Sequence, residues 1–304
     1  MARTAMTMGA GGRLAEHLSV GVLSERYPLT EVRAALAGSG KHSARVRLLP
    51  AEVMTYYVIA QGLLMAVSTK EVLRVVREGL SWLGAEELGP TASKAAIAQA
   101  RERLGPEPLR LLWERTARPL AEPTSGPGAG AFYRGLRLVA LDGTTLDVPD
   151  TARNREHFGK PGASRGEAAF PQLRLVGLVE TGTHAFFACA HGPCTEGEQP
   201  LAAKVLPALQ QGQLCLADRL FAVFPLWQKA RASGAELLWR ARDNLVLPVE
   251  AQLADGSYRS TIYPSAKARR RQEGGAQVRV IEYVLENHPE KPAFRLLTTL
   301  LDPR

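Results

Sequence analysis

Apolar residues in the first third of the chain recur at the three- to four-residue spacing of helices, and the residues between them are those that start and stop helices. The longest apolar stretch, Val53 to Val67, is broken by Gln61 and is too short to cross a bilayer, so it predicts a buried helix. Ser68-Thr69-Lys70-Glu71 has the form of a capping box, opening a helix that runs to Leu83 and ends at Gly84. A further helix is expected from Thr91 to Leu104, closed by Gly105. The next runs from Pro106 to Leu120, with Leu109, Leu112 and Trp113 on one face. Residues 29–121 are therefore expected to form a small all-α domain behind a flexible N-terminus of residues 1–28.

Residues 122–130 are rich in Pro, Gly and Ser, cannot hold a regular element and mark a linker. Beyond them the pattern becomes that of strands. Leu136 to Leu141 is a continuous apolar run, and Gln172 to Val179 and Ala185 to Ala190 read as two more strands. Leu201 to Leu209 is a helix, Leu214 to Ala217 a strand, Val223 to Ala232 a helix and Glu236 to Arg240 a strand. This β-β-β-α-β-α-β order predicts a mixed α/β domain over residues 131–304. After Asn244 the segments Leu245 to Val249, Val278 to Leu285 and Phe294 to Leu300 are short and β-like, separated by Gly256, Pro264 and Gly274-Gly275. They predict a β-rich insertion over about residues 244–300.

Composition adds little to the fold but narrows the partners. Thirty-eight Lys and Arg against 30 Asp and Glu give a formal charge of +8, which favours encounter with polyanions such as nucleic acid or anionic lipid. Met1 to Gly12 has no apolar core of signal-peptide length, and no later stretch is long enough to span a membrane, so a cytoplasmic location is expected, nucleoid-associated when DNA is bound. Three cysteines, Cys189, Cys194 and Cys215, are too few for a disulfide framework and suit a reducing compartment.

Two aspartates are candidates for chemistry. Asp142 follows the apolar run Leu138-Val139-Ala140-Leu141, and Asp218 follows Leu214-Cys215-Leu216-Ala217. A carboxylate at the end of a buried strand is costly unless it is hydrogen-bonded, paired or bound to a cation. Two such strands side by side would offer the oxygen donors that Mg²⁺ prefers. The plain alternative is an aspartate that caps a turn, and Asp142-Gly143 is a common turn pair.

The run Leu141-Asp142-Gly143-Thr144-Thr145-Leu146-Asp147-Val148-Pro149-Asp150-Thr151, with Asn154 and Phe158-Gly159, resembles the first catalytic block of the IS4-type DDE transposases. Leu216-Ala217-Asp218-Arg219-Leu220-Phe221 resembles their second block, where Gly often replaces Leu220. Leu238-Trp239-Arg240, Tyr263-Pro264-Ser265 and Arg295 to Asp302 add to the likeness, and upstream so do Arg47 to Pro50 and Gln99 to Gly105. The resemblance covers nearly all of the chain from about Val22 to Arg304.

The resemblance implies a ribonuclease H-like catalytic domain with a β-rich insertion, and Asp142 and Asp218 as ligands of Mg²⁺ or Mn²⁺. It further implies metal-dependent cleavage and strand transfer on double-stranded DNA, at the element's terminal inverted repeats and at target DNA, by a homodimer on paired ends. The family's third acid is a glutamate in a Tyr-Arg-Glu-Lys type motif on a final helix. That motif has no counterpart in these 304 residues, which end at Asp302-Pro303-Arg304, and Glu236, Glu250, Glu282 and Glu286 lie in strand-like or insertion context. A chain truncated in this way is expected to be nearly inactive alone. The rival expectations are a non-catalytic DNA-binding remnant and a ribonuclease H-like nuclease unrelated to mobile DNA.

Other signals are weaker. Gly162-Ala163-Ser164-Arg165-Gly166 fits a nucleophile elbow but lacks the strand before and helix after that the motif requires, so a flexible basic loop is the better reading. Cys189, His191 and Cys194 are close in sequence, yet no second Cys/His pair completes a zinc site. Lys267, Arg269, Arg270 and Arg271 form a basic run that is either a solvated surface or a set of DNA-phosphate contacts. Arg219, beside the second aspartate, is a candidate phosphate contact or a structural ion-pair partner. Lys70, Arg74, Arg77, Lys94, Arg101 and Arg103 give the helical domain a basic surface compatible with DNA contact.

Overall fold

A computed structural model describes residues 20–43, 47–82, 92–123, 129–163, 166–286 and 293–303. The chain divides into two compact units, residues 1–117 and 118–304. The expected helix end at Leu83-Gly84, the helix start at Thr91, residues 124–128 of the linker and residues 1–19 of the N-terminus lie outside the described residues.

The first unit is helical: α1 (Val20–Arg26), α2 (Leu29–Gly38), α3 (Ala51–Leu63), α4 (Thr69–Trp82), α5 (Lys94–Leu104) and α6 (Glu107–Thr116). Helix α1 falls in the stretch expected to be flexible, because Leu23 is buried among the other helices and Arg26 donates to the Thr116 carbonyl at 2.8 Å. Half of the expected capping box forms. The Ser68 hydroxyl accepts from the Glu71 N–H at 3.3 Å, but the Glu71 carboxylate turns to Arg74 instead of back to the cap. Ser93 caps α5 by accepting from the Ala96 N–H, and Gly105, at φ 68°, ends it in the left-handed region that glycine enters without strain. Helix α6 stops at Thr116, short of Leu120, because Arg118 precedes Pro119 and a residue before proline is pushed out of the helical region. Val32, Leu36, Met54, Tyr56, Tyr57, Leu73, Val76 and Ile97 fill the core.

The second unit is built on one large sheet. Its elements are β1 (Phe132–Tyr133), β2 (Leu136–Asp147), α7 (Ala152–Phe158), β3 (Gly162–Ala163), β4 (Gly166–Glu167), β5 (Gln172–Glu180), β6 (Phe186–Pro193) and α8 (Glu198–Val205). The chain continues through β7 (Gln213–Ala217), α9 (Phe224–Arg231), β8 (Glu236–Arg240), β9 (Ala251–Gln252), β10 (Tyr258–Ile262), α10 (Ala266–Arg271), β11 (Ala276–Tyr283) and β12 (Phe294–Thr298). The sheet order is β6-β5-β2-β7-β8-β12-β11-β10-β9, with β1 on β2 and β3-β4 a separate two-stranded pair. The β2–β7 and β7–β8 pairs are parallel and the others antiparallel.

Central strands are central because their side chains are apolar enough to be covered. Val139, Val176, Leu178, Cys215, Leu237 and Trp239 are fully buried, together with Leu201, Leu206, Trp227 and Ala230 from the covering helices. Each such aliphatic or aromatic side chain contributes about 1.5–3 kcal/mol relative to exposure. The strands after Asn244 do not fold apart from this sheet. Strand β12 pairs with β8 at Leu297↔Trp239, so β9 to β12 extend the same sheet. Leu245 to Val249, expected as a strand, is irregular, and Tyr258–Ile262 supplies the strand that pairs with β11 instead. No helix among the described residues is long and apolar enough to cross a membrane.

Candidate active site

Strands β2 and β7 run parallel in the register Leu138↔Leu214 to Leu141↔Ala217, so Asp142 and Asp218 come next on neighbouring strands. Beyond the aspartates the two strands behave differently. Strand β7 ends at Ala217 and the chain turns, with the Phe221 N–H donating to the Asp218 carbonyl at 3.1 Å. Strand β2 does not end before Asp142, as its sequence led us to expect, but continues to Asp147 paired with β5 alone (Asp142↔Gly177). Asp142 thus sits where β2 loses one of its two neighbours. Both aspartates are exposed, so neither bears the desolvation cost that a buried strand end would impose.

Their partners are few. The Asp142 carboxylate accepts from the Gly143 N–H at 2.8 Å. Asp218 faces Arg240 of β8 at 3.5 Å, and the Arg240 guanidinium lies over the Phe294 ring, 4.6 Å from its centre. Phe294 stacks in turn on Tyr283 of β11 at 5.4 Å. The turn after Asp218 is held by residues that the sequence reading passed over. Arg242 donates to the carbonyls of Arg219 (3.2 Å) and Leu220 (3.0 Å), and Gln199 donates to the Leu220 carbonyl at 2.7 Å. Arg219 itself pairs with Asp243 at 3.1 Å with both side chains largely in solvent.

Glu198 was also passed over. It is the first residue of α8, and its carboxylate lies against Gly143: a Cβ at position 143 would stand 2.8 Å from its carboxyl carbon. The absent side chain of Gly143 is what leaves room for that carboxylate on its face of β2. The sequence offers only the weak signal of a glutamate opening a helix after Gly197.

Beyond β2, Asp150 accepts from Arg155 at 2.5 and 2.7 Å and lies 3.2 Å from Lys160. Hydrogen bonds from Arg155, reinforced by Lys160, hold its carboxyl well below the usual range, at about 2. Asp150 is therefore expected to keep its charge until the pH falls to about 2. Its carboxyl ¹³C shift should stay flat between pH 7 and pH 4, and a midpoint near that of an ordinary aspartate would refute the pairing.

Asp142 and Asp218 suit a hydrated divalent ion in kind, since both are hard oxygen donors open to water. They fall short in number. Among the described residues no group of three or more His, Cys, Asp or Glu side chains is arranged to hold a metal. Cys189, His191 and Cys194 form no such group among the described residues, and the two cysteines are not in disulfides. The nucleophile-elbow alternative fails as well, because the described residues on either side of Ser164 and Arg165 belong to the short strands β3 and β4, not to a strand and a helix.

The candidate DNA contacts are dispersed. Lys267, Arg269, Arg270 and Arg271 lie on α10, capped by the Ser265 hydroxyl, and none of them forms an ion pair among the described residues. Helix α10 joins β10 to β11, and three strands separate β11 from β2, so the run is not brought to the aspartates. In the helical unit Arg74 is committed to Glu71 and Glu78, whereas Lys70, Lys94, Arg101 and Arg103 are exposed.

Two family profiles match this chain: "Insertion element 4 transposase N-terminal" over residues 17–114 and "Transposase DDE domain" over residues 133–300. Transposase InsG for insertion sequence element IS4 of Escherichia coli (strain K12) is 28% identical over 225 residues, 71% of this chain and 49% of that protein. Putative transposase InsZ of the same strain is 27% identical over 227 residues, 73% of this chain and 71% of that protein. The alignment thus spans about half the length of the first relative and nearly three quarters of the second.

Proposed function

Since the chain belongs to the IS4-type family of DDE transposases, we propose that it binds the terminal inverted repeats of an insertion element and carries two of the three acids for cutting and joining them. The reading rests on one observation above the others, the adjacent register positions of Asp142 and Asp218 on parallel strands. The strand order β6-β5-β2-β7-β8, three antiparallel strands continued by two parallel ones, supports a ribonuclease H-like core.

In this reading Asp142 and Asp218 hold Mg²⁺ or Mn²⁺. When bound, the ion activates the attacking oxygen and stabilises the leaving one. Arg240 orients Asp218 through its ion pair, and Arg242 and Gln199 fix the turn that carries it. Arg219 and the α10 cations Lys267, Arg269, Arg270 and Arg271 neutralise DNA phosphates. A homodimer on paired ends and a separate target duplex complete the reaction. In this reading Glu236, Glu250 and Glu282, downstream of Asp218, are not the family's third acid, because a neighbouring hydroxyl engages each carboxylate. The Glu236 carboxylate accepts from the Thr299 hydroxyl, Glu250 from Thr261 and Glu282 from Tyr258. Residues 1–304 alone therefore bind DNA ends but transfer strands poorly.

The test compares this chain with its Asp142→Asn/Asp218→Asn variant on duplexes of terminal-repeat or scrambled sequence, in Mg²⁺ and in Mn²⁺. Expected are preference of both proteins for the repeats, Mn²⁺ binding by the wild type alone in paramagnetic resonance, and strand transfer no higher than the variant's. Equal affinity for scrambled duplex would overturn the transposase reading in favour of a nuclease. Equal Mn²⁺ binding by the variant would remove the two aspartates from the metal site, and strand transfer by the wild type alone would refute the incompleteness.

A further inference from the structure

We infer that the helical unit carries an oxyanion pocket, lined by Lys41, His42, Arg47 and Arg103, that takes a backbone phosphate of duplex DNA. The pocket is a cavity of about 330 Å³ between the loop after α2 and the facing ends of α3 and α5. Its apolar floor, Met54, Ala100 and Leu104 among it, is buried, so the polar groups at the rim are held around a fixed base.

Four observations converge on an anion. First, two arginines, a lysine and a histidine are among the residues that line one small cavity, and no Asp or Glu is among its described lining residues. Like charges gathered without a counter-charge repel one another, and a bound anion relieves that cost. Second, neither Arg47, Arg103 nor His42 forms an ion pair among the described residues, so their donors are available. Lys41 is anchored by donating to the Arg103 carbonyl at 3.0 Å, at the end of α5. Third, the Ser43 hydroxyl oxygen accepts from the Ala51 N–H at 3.0 Å, which places that hydroxyl, with its own proton free to donate, at the start of α3. The N-terminus of that thirteen-residue helix carries partial positive charge. Fourth, the described lining has no Phe, Tyr or Trp on which a base would stack. The pocket therefore suits a phosphate read as charge and shape, not a free nucleotide.

That the phosphate belongs to DNA rests on the transposase reading above; the pocket itself does not. Phosphate contacts position a protein on the duplex without reading sequence, and each adds to the salt dependence of binding. The 304-residue chain and its Arg47→Gln and Arg103→Gln variants are titrated with a terminal-repeat duplex and a scrambled duplex over a potassium chloride series, with Arg33→Gln as a control outside the cavity. In parallel, the His42 ring resonances are followed with inorganic phosphate, and then with duplex, at constant ionic strength. Expected is that each pocket variant weakens both duplexes alike and lowers the log–log salt slope by about 0.9, that Arg33→Gln does neither, and that phosphate and duplex shift His42 in competition.

Unchanged slopes in both pocket variants, with wild-type duplex binding intact and no His42 shift with phosphate, overturn the pocket alone. A His42 shift with phosphate that duplex does not displace makes this a small-anion site and overturns the DNA occupant. No binding of either duplex by the wild type overturns the DNA reading on which the occupant rests.

Discussion

Glu180→Ala is expected to destabilise the second unit by about 3–5 kcal/mol at pH 7, the loss typical of breaking a buried ion pair by removing one partner. Glu180 ends β5 with no solvent exposure. Its carboxylate accepts from the backbone N–H groups of Leu120 (3.0 Å) and Ala121 (2.8 Å), from the Thr183 hydroxyl and from Arg137. Arg137 also donates to the Ala121 carbonyl at 2.9 Å. Alanine would leave two backbone donors and a largely buried guanidinium without their acceptor, and buried polar groups without partners are expensive. The residue ties the segment leaving Ala117 to the sheet, so the damage should reach both β2 and β5. Equilibrium denaturation of the wild type, Glu180→Ala and Glu180→Gln measures it, with the glutamine variant intermediate because it keeps one acceptor oxygen. A loss below about 1 kcal/mol for the alanine variant would mean that the network contributes little.

The same carboxylate makes a pH prediction. Burial pushes its pKa up, but the hydrogen bonds from Thr183, Ala121, Leu120 and Arg137 outweigh burial and hold it below the ordinary value of 4.5. A carboxylate whose folded pKa is depressed contributes stability that is fully present above the unfolded value and is lost as the pH falls through the folded one. The wild type should therefore lose part of its margin over Glu180→Ala below about pH 4.5, and the two denaturation curves should draw together there.

The second large effect is expected at Trp239. This side chain is fully buried on β8 and meets Trp227 of α9 edge to face, 5.3 Å between ring centres and 86° between planes. Trp239→Ala should cost about 3–5 kcal/mol for the lost burial and the cavity left behind, and the aromatic pair adds about 0.5–1.5 kcal/mol to that. The variant should also reach the site. Successive residues of a strand point to opposite faces, so Trp239 fastens β8 from below while the next residue, Arg240, meets Asp218 from above. Thermal denaturation with a Mn²⁺ titration at a temperature where the variant remains folded separates the two consequences. Trp239→Phe should recover most of the stability and all of the Mn²⁺ binding. A variant that is destabilised but binds Mn²⁺ as the wild type does would show that the packing beneath β8 does not position Asp218.

The family could be recognised from sequence because its marks are local. Asp142-Gly143-Thr144 and Ala217-Asp218-Arg219 each sit within a few residues of an apolar run, and such runs place themselves in the sheet by burial alone. The parallel pairing of β2 with β7 agrees with the long connection between them, which includes α7, β5, β6 and α8, since parallel neighbours need a long crossover. The misleading signal was local too. The turn pair Asp142-Gly143 suggested the end of a strand, yet in the fold β5 keeps pairing with β2 as far as Asp147.

By itself, then, the sequence determined the helical first unit, the mixed sheet and the family, and it singled out the two aspartates as candidates, because each depends on periodicity, end signals or a short run of neighbours. Only the tertiary structure decided that β12 closes on β8, so that the strands after Asn244 widen the sheet. It alone set the Glu198 carboxylate over Gly143, the Glu180 carboxylate under the segment leaving Ala117, and Lys41, His42, Arg47 and Arg103 around one cavity. Those contacts join residues far apart in the chain, and their energies come from burial and charge that no short stretch of sequence carries.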